Sequence, residues 1–568
     1  MRRIWDAPPA AHLLGLALIL LALVPLIGTN SSFISDEGAA IIQGRSLSSG
    51  QGWLVPHPLP DIDPEGRFYP LVNSERGSRG FAPLAKHPAY SLLVAGADRL
   101  GGVAGMVLLS VAGTVAAAAL AGGLAARFDP VLRRPTIHVV GLASPLLFDG
   151  FVVIGHTLGA ALAAAAVLCA VRAIEERRLG MALAVAPCIG GAVLLRSEAI
   201  LLAGALAAVA LVIALRARPW APALLVAGAA SVAAAGARFA ETAWIARIIG
   251  DLPPMTYVPA HVSGDGFLQE RVDSFTITWL LPDYKGSQPL SLLLLAVMTG
   301  LVLAAVAARS SPARQARVLV PAAVSGCAAV AALVVAPASV VPGLLVAFPL
   351  LAAGLAVLRR ALFRDVGAAL AGATSALFAL GVIATQYPTG GTGEWGGRYF
   401  ALAIPVIVPV VVLALYRQGL TLDRVTRRGA LAALVLCSTA LTTTAVFSLR
   451  SSHQYWDGFV GKVEQAQDIA GPGRPVVTTW SAAPRFSWAI FDRSPWLLAE
   501  RDDVAEVRSA LADRGTDRFV FVTVDVAADR ELLTGLDVIW ADGPLDGGRR
   551  ILVVEESAPR TGVLRPSR

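Results

Sequence analysis

The sequence predicts an all-α polytopic membrane protein with about thirteen transmembrane helices and a small C-terminal extracytoplasmic α/β domain. Its 568 residues are 55% hydrophobic and only 15% charged, and the mean hydropathy is +0.65. A soluble protein of this length carries about a quarter charged residues. The apolar residues fall in discrete runs up to residue 449, and a charged, mixed sequence follows.

The apolar runs are the predicted membrane spans. The first follows Arg2 and Arg3 and precedes no small-residue cleavage site, so it is predicted to be a transmembrane helix rather than a signal peptide. The runs are 12–28, 101–126, 136–154, 157–172, 181–195, 199–215, 221–237, 289–308, 318–336, 341–358, 366–385, 401–416 and 430–449.

The arginines predict the orientation. If the N-terminus is cytoplasmic, every connector on the cytoplasmic side is basic, as the positive-inside rule expects. The protein is therefore predicted to lie in the plasma (inner) membrane with its C-terminal domain outside. The formal net charge of +7 comes from basic residues spread over these connectors. It is therefore not interpreted as a sign of nucleic-acid binding. The arginines concerned are Arg127, Arg133, Arg134, Arg172, Arg177, Arg178, Arg216, Arg218, Arg309, Arg314, Arg317, Arg359, Arg360, Arg364, Arg417, Arg424, Arg427 and Arg428.

Two domains follow from these patterns. Residues 1–450 form the transmembrane domain, with an outer loop at 29–100 that is long for a connector and so is expected to have a task of its own. Residues 451–568 form the extracytoplasmic α/β domain, because short strand-like runs alternate with amphipathic helical patterns. An aromatic cluster in it is predicted to be core or membrane-contacting in preference to sugar-stacking. The cluster is Trp480, Phe486, Trp488 and Trp496.

Ionisable residues at the predicted outer membrane boundary are the candidate site. Such residues are costly to desolvate, so a functional role is the default hypothesis. The four groups are Asp36-Glu37, Lys86-His87, Arg196-Ser197-Glu198, and Glu394 with Arg398-Tyr399.

Two of the four groups have a structural alternative. Arg196 and Glu198 can pair with each other or snorkel to the interface. Ser35-Asp36 precedes an apolar helical pattern and can be a helix N-cap. Asp61-Ile62-Asp63 has the spacing of a metal-binding pair, but the nearby Gly66 favours an ordinary Asp-rich turn.

The motifs resemble the GT-C superfamily of integral-membrane glycosyltransferases, and are most similar to its protein O-mannosyltransferase and aminoarabinose-transferase branch. The segment Ser35–Leu47, Ser-Asp-Glu-Gly-Ala-Ala-Ile-Ile-Gln-Gly-Arg-Ser-Leu, looks like the start of that branch's first outer loop. Lys86–Tyr90 resembles its Lys-Pro-Pro-Leu-Tyr motif, with His87 and Ala89 departing from it. Arg196–Ala199 resembles its Arg-Pro-Glu-Ala, and Gly397–Phe400 resembles its late Gly-Arg-Tyr run.

The resemblance implies transfer of a sugar from a polyprenyl-phosphate donor in the bilayer to a cell-envelope glycan, lipid or protein acceptor, with inversion. It assigns the general base to Asp36. Cations suit the departing phosphate, in the order Arg398, Lys86 and Arg196. Glu37 and Glu394 are expected to orient hydroxyl groups.

Two other functions remain open from the sequence. A transporter or flippase for lipid-linked sugars has a similar composition, although no clear internal repeat is present. A non-catalytic membrane scaffold with a partner-binding outer domain is the third possibility. No cofactor is firmly implied, and a divalent metal remains open.

Overall fold

The computed structural model describes most of the chain. The described residues are 7–71, 74–84, 87–216, 220–252, 266–280, 342–385, 395–526, 529–543 and 549–556.

Helices dominate the described chain up to residue 470. In chain order they are α1 (Pro9–Ile27), α2 (Ser35–Ser48), α3 (Pro88–Phe128), α4 (Arg133–Leu142), α5 (Leu146–Asp149), α6 (His156–Glu175), α7 (Leu179–Leu195), α8 (Ala199–Arg216), α9 (Ala221–Ile249), α10 (Phe267–Phe275), α11 (Leu344–Ala347), α12 (Pro349–Ala356), α13 (Val366–Thr385), α14 (Ile404–Leu420), α15 (Arg424–Ala470), α16 (Ala483–Phe486) and α17 (Val504–Asp513).

Seven helices of the described chain are long and apolar enough to cross a membrane, and α7 and α14 are shorter apolar helices. A multi-pass membrane protein is therefore confirmed. The predicted spans 136–154 and 341–358 are wrong as single helices, because the first breaks between α4 and α5 and the second between α11 and α12. In the second, Pro349 begins a new helix and cannot continue the one before it. The predicted spans 289–308 and 318–336 lie outside the described residues.

Helix α3 begins earlier than the predicted second span. It starts at Pro88, and its backbone breaks at Gly101 and Gly102, where Gly102 has φ of +58°. That conformation favours glycine, which has no Cβ to clash. The break separates a first segment from the apolar stretch predicted at 101–126, so the outer loop ends at about residue 87 instead of residue 100.

The chain forms two compact units. The first comprises Met1–Thr29, Lys86–Ala246 and Leu252–Ser452, and the second comprises Asn30–Ala85, Arg247–Asp251 and His453–Arg568. In the first unit α6 packs against α3 and α7, α8 packs against α13, and α14 packs against α3 and α12. Small residues permit this close packing: a side-chain carbon on Gly113 of α3 would overlap Thr157 of α6.

The second unit contains a mixed five-stranded sheet in the order β4-β3-β5-β7-β6. Strand β3 runs parallel to β4 and β5, while β7 is antiparallel to β5 and β6. The C-terminal region thus contains both α-helices and strands. The strands are β1 (Glu75–Gly77) and β2 (Gly80–Ala82), which form a separate hairpin, and β3 (Val476–Thr478), β4 (Trp496–Leu498), β5 (Arg518–Thr523), β6 (Leu536–Ala541) and β7 (Arg550–Glu556).

The outer loop packs on this sheet. Leu59 and Phe68 belong to the same buried core as the strand residues Leu497 and Phe521. The Leu498 N–H donates to the Phe68 carbonyl at 3.0 Å. The loop between the first two predicted spans is thus folded together with the C-terminal domain, a link that no sequence pattern indicated.

Candidate active site

The first turn of α2 carries the predicted acidic pair. The helix begins at Ser35, and its N-cap residue is Ile34, which has no side chain able to accept a hydrogen bond. Glu37, buried to 1% exposure, instead reaches back to the segment before the helix, where its Oε2 accepts the Phe33 N–H at 2.7 Å. The N-cap alternative for Ser35-Asp36 is therefore wrong, and Asp36 serves another contact.

That contact is an ion pair with Arg485 of α16, in the same unit. Arg485 Nη1 lies 3.0 Å from Asp36 Oδ1, and the two side chains are 7% and 29% exposed. Burial lowers the pKa of the Arg485 guanidinium, and the charge and hydrogen bond of Asp36 partly offset that effect. Asp36 is thus a partly exposed carboxylate that has a buried cation on one side.

In the first compact unit, called the membrane unit below, His87 contacts a buried acid that the sequence motifs did not single out. His87 is the N-cap residue of α3, and its Nδ1 lies 3.0 Å from Glu241 Oε1. The other carboxylate oxygen of Glu241 accepts from Arg238 Nη1 at 2.6 Å. Glu241 lies in α9 and is only 1% exposed. His87 and Arg238 are the basic side chains in contact with its carboxylate.

Arg196 and Glu198 form a two-point ion pair between α7 and α8. Arg196 Nε donates to Glu198 Oε2 at 3.1 Å, and Arg196 Nη2 donates to Oε1. Burial raises the pKa of the Glu198 carboxyl, but the charge of Arg196 and hydrogen bonds outweigh it and hold that pKa below its usual value. The two residues pair with each other, as the structural alternative expected.

Arg398 is presented by a glycine turn just before α14. Gly396 and Gly397 have φ of +76° and +72°, conformations that other residues rarely adopt. The Gly396 N–H donates to the Pro342 carbonyl at 3.0 Å, which anchors the turn. Arg398 lies over the Tyr399 ring at 5.0 Å and donates to the Tyr399 hydroxyl at 3.2 Å.

Several of these elements meet at the start of α6. A side-chain carbon on Gly155 would lie 3.0 Å from the Leu195 carbonyl, 3.4 Å from the Tyr90 ring and 3.7 Å from Arg196 Cδ. One on Gly159 would lie 3.0 Å from Leu402. The ends of α3, α6 and α7 and the turn before α14 therefore converge.

The buried His156 ring lies at the start of α6, beside this convergence. It is 1% exposed, and the charges of Arg196, Arg398 and His87 all act on it. Asp149 Oδ1 lies 3.7 Å from its Nδ1. The structure thus brings together His87, Arg196, Glu198, Arg398 and Tyr399 of the predicted set in the membrane unit, whereas Asp36 and Glu37 belong to the other unit. The predicted residues Lys86 and Glu394 lie outside the described residues.

The Asp61-Ile62-Asp63 segment forms a turn. Asp63 accepts the Arg67 and Phe68 N–H groups at 2.8 Å and 2.7 Å and lies 2.8 Å from His57, and Asp61 pairs with Arg514. Over the described parts of the chain, no group of three or more His, Cys, Asp or Glu side chains is placed to hold a metal ion.

The predicted aromatic cluster is largely buried. Trp496 lies in the core at 1% exposure, Phe486 stacks on Trp456 at 3.7 Å, and Arg45 lies over Trp488 at 4.6 Å. Trp480 is half-buried, with Arg549 over its ring at 4.3 Å.

Four site residues escaped the sequence analysis: His156, Glu241, Arg238 and Arg485. The first three carry a signal that could have found them, since each is an ionisable residue in or beside an apolar run. Arg485 carries none, because its contact with Asp36 joins residues 449 positions apart.

Comparison with known proteins places the fold. No protein-family model and no curated protein sequence matches the chain. Solved structures do match: ArnT from Cupriavidus metallidurans in the apo state is similar with 11% identity and a TM-score of 0.51, covering 96% of this chain and 99% of that one. This chain has the GT-C fold.

Two further structures are similar. ArnT from the same organism bound to undecaprenyl phosphate matches with 12% identity and a TM-score of 0.50, covering 95% of this chain and 97% of that chain. The archaeal oligosaccharyltransferase AglB from Archaeoglobus fulgidus, in complex with an inhibitory peptide and a dolichol-phosphate, matches with 12% identity and a TM-score of 0.45, covering 91% and 69%. The resemblance inferred from the motifs is confirmed at the level of the fold.

Proposed function

We propose that this protein is a membrane glycosyltransferase that moves a sugar from a polyprenyl-phosphate donor to a cell-envelope acceptor on the outer face of the membrane. The observation that carries the proposal is the convergence of helix ends around His156. Three cationic or protonatable side chains, His87, Arg196 and Arg398, lie within electrostatic range of the His156 ring. The fold likeness to ArnT, solved with undecaprenyl phosphate bound, supports a donor of this class.

The cluster suits a phosphate on a lipid. The N-terminal ends of α3 and α6 both lie at the convergence, and helix N-termini favour anions because their first N–H groups lack partners within the helix. Arg398 leads the cations, because its planar guanidinium can bind two phosphate oxygens at once. Arg196 ranks lower, since Glu198 compensates its charge. Lys86 keeps its place as the second choice.

The proposed step is a direct displacement. The acceptor hydroxyl oxygen attacks the anomeric carbon and forms the new glycosidic bond. The bond from that carbon to the phosphate oxygen breaks, and the lipid phosphate leaves with the electron pair. Asp36 takes the hydroxyl proton, and its 29% exposed side chain is consistent with access for an acceptor. Cations stabilise the departing phosphate, and the anomeric configuration inverts.

Glu37 has a different role in this proposal from the hydroxyl-orienting role expected from the sequence. It is buried and holds the N-terminal turn of α2 through the Phe33 N–H. We assign it to fixing the backbone that carries Asp36 rather than to binding a hydroxyl directly. Glu394 retains its expected role of orienting a hydroxyl group.

The test is transfer by purified protein. The protein in detergent or liposomes is incubated with radiolabelled polyprenyl-phosphate sugars and a cell-envelope acceptor fraction, and label in the acceptor is counted. We expect label to accumulate with time and to require the lipid-linked donor. Movement of intact labelled donor across a liposome membrane without transfer would instead identify a flippase and overturn the proposal.

A further inference from the structure

Arg485 is a buried cation that the sequence motifs did not single out. It belongs to α16, a four-residue helix of the C-terminal domain, and its side chain is only 7% exposed. A buried guanidinium is costly unless a partner compensates it. Its described partner is Asp36 Oδ1 at 3.0 Å. The residue assigned as general base is therefore paired with a side chain more than four hundred positions later in the chain.

The backbone around this pair is tightly packed. A side-chain carbon on Gly38 would overlap the Arg485 carbonyl oxygen, so α2 and α16 approach each other as closely as a residue without Cβ allows. Two turns further along α2, Arg45 lies over the Trp488 ring at 4.6 Å. These contacts fix Arg485 relative to Asp36, and they lie entirely within the unit formed by the outer loop and the C-terminal domain.

We propose that Arg485 is a positioning residue that keeps the Asp36 carboxylate ionised and oriented for proton transfer, so that the C-terminal domain is part of the catalytic apparatus. The inference rests on the proposed function. A carboxylate that is only 29% exposed loses hydration, which favours its protonated and therefore inactive form, and a cation at hydrogen-bonding distance counteracts that loss. Pairing one oxygen also sets the direction of the carboxylate.

The experiment compares pH–rate profiles of transfer. A nearby opposite charge typically shifts a carboxylate by about 1–3 pH units, so Arg485→Gln should move the acidic limb to higher pH by about one unit or more. Arg485→Lys keeps the charge and should leave the acidic limb close to its wild-type position. Arg493→Gln, which breaks the exposed pair with Glu464 in the same domain, is the matched control and should leave the limb in place.

Two additions keep the result decisive. Gly38→Ala changes neither charge but should separate Arg485 from Asp36, so it should move the acidic limb in the same direction as Arg485→Gln. Carbodiimide coupling at Asp36, followed by mass spectrometry across pH, reads its protonation without any substrate. An unchanged limb and an unchanged coupling profile in folded Arg485→Gln protein would overturn the inference.

The outcomes for the two proposals are separable. If Asp36→Asn loses transfer while Arg485→Gln leaves both pH profiles unchanged, Arg485 is structural and the proposed function stands. If wild-type protein transfers no sugar but the coupling profile at Asp36 shifts in Arg485→Gln, the pair acts as described and the proposed reaction is wrong.

Discussion

At the residue scale, Arg398 carries the sharpest prediction for donor binding. Losing a charge-assisted contact to phosphate costs about 1.5–3 kcal/mol, so Arg398→Ala should weaken donor binding by about 10- to 150-fold. Arg398→Lys should recover only part of this, because the two-pronged guanidinium is lost. Binding of a labelled polyprenyl phosphate to purified protein measures the effect.

Tyr399→Phe is the matched control for Arg398. It removes the hydroxyl that accepts from Arg398 at 3.2 Å but keeps the ring beneath the guanidinium. Donor affinity should fall much less than in Arg398→Ala. Unchanged affinity in a folded Arg398→Ala variant would show that Arg398 only packs on Tyr399.

Glu241 is expected to be a stability residue. Replacing a buried member of an ion pair typically costs about 3–5 kcal/mol, because the partner charge is left uncompensated. Glu241 is 1% exposed and contacts both His87 and Arg238, so Glu241→Gln should lower the thermal unfolding midpoint in detergent markedly. Glu175→Gln, at the more exposed pair with Arg127, should lower it far less, and equal losses would contradict this account.

Site residues differ in how far the sequence could reveal them. Asp36, His87, Arg196 and Arg398 stand in local motifs, so short patterns were enough to make them candidates. The direction of each side chain was not predictable. The Arg196 side chain pairs with Glu198, two residues later, and the Asp36 side chain pairs with Arg485. A side chain takes the partner that packing brings to it, and packing depends on residues far apart in the chain.

At the scale of elements, the glycine turn before α14 can be tested by a single substitution. Gly396 has φ of +76°, and a side-chain carbon there would overlap Pro145. The backbone term alone costs roughly 1–2 kcal/mol for a residue with Cβ. Gly396→Ala should displace the turn and reduce donor binding in the same sense as Arg398→Ala.

The control for this turn is Gly15→Ala in α1, where nothing lies within 4 Å of the added carbon. It should leave donor binding and thermal stability unchanged. Wild-type donor binding by Gly396→Ala would mean that the turn does not set the position of Arg398.

Continuous apolar helices were the elements best predicted from the sequence. The runs at 157–172, 181–195 and 366–385 lie within helices whose ends agree to within a few residues. The run at 136–154 was predicted as one helix because its overall composition is apolar. The helix breaks around α5, next to Ser144-Pro145 and Asp149-Gly150, which are residue pairs that favour turns.

At the scale of the whole molecule, the arginine distribution predicts that the termini lie on opposite faces of the membrane. Phosphatase fused after Arg568 should be active, because it reaches the outer face, while a fluorescent protein at the same site should remain dark in cells whose export pathway unfolds it. A fusion at the N-terminus should give the reverse pattern. Cytoplasmic activity at Arg568 would overturn the predicted topology.

The second compact unit combines segments that are far apart in the sequence. The outer loop 30–85 and the region after His453 read as separate pieces, yet they form one compact unit. Their link is long-range burial, with Leu59 and Phe68 in the same core as β3 and β5. Hydrophobic periodicity reports which face of an element is buried, but it does not report the partner.

The most direct test of the central claim is sugar transfer by Asp36→Asn. Asparagine keeps the size of aspartate but cannot accept the proton of the acceptor hydroxyl. Positioned acid–base catalysis is typically worth about 10²–10⁴-fold in rate, so folded Asp36→Asn protein that still binds the donor should transfer sugar more slowly by about that factor. Transfer by Asp36→Asn at close to the wild-type rate would contradict the account.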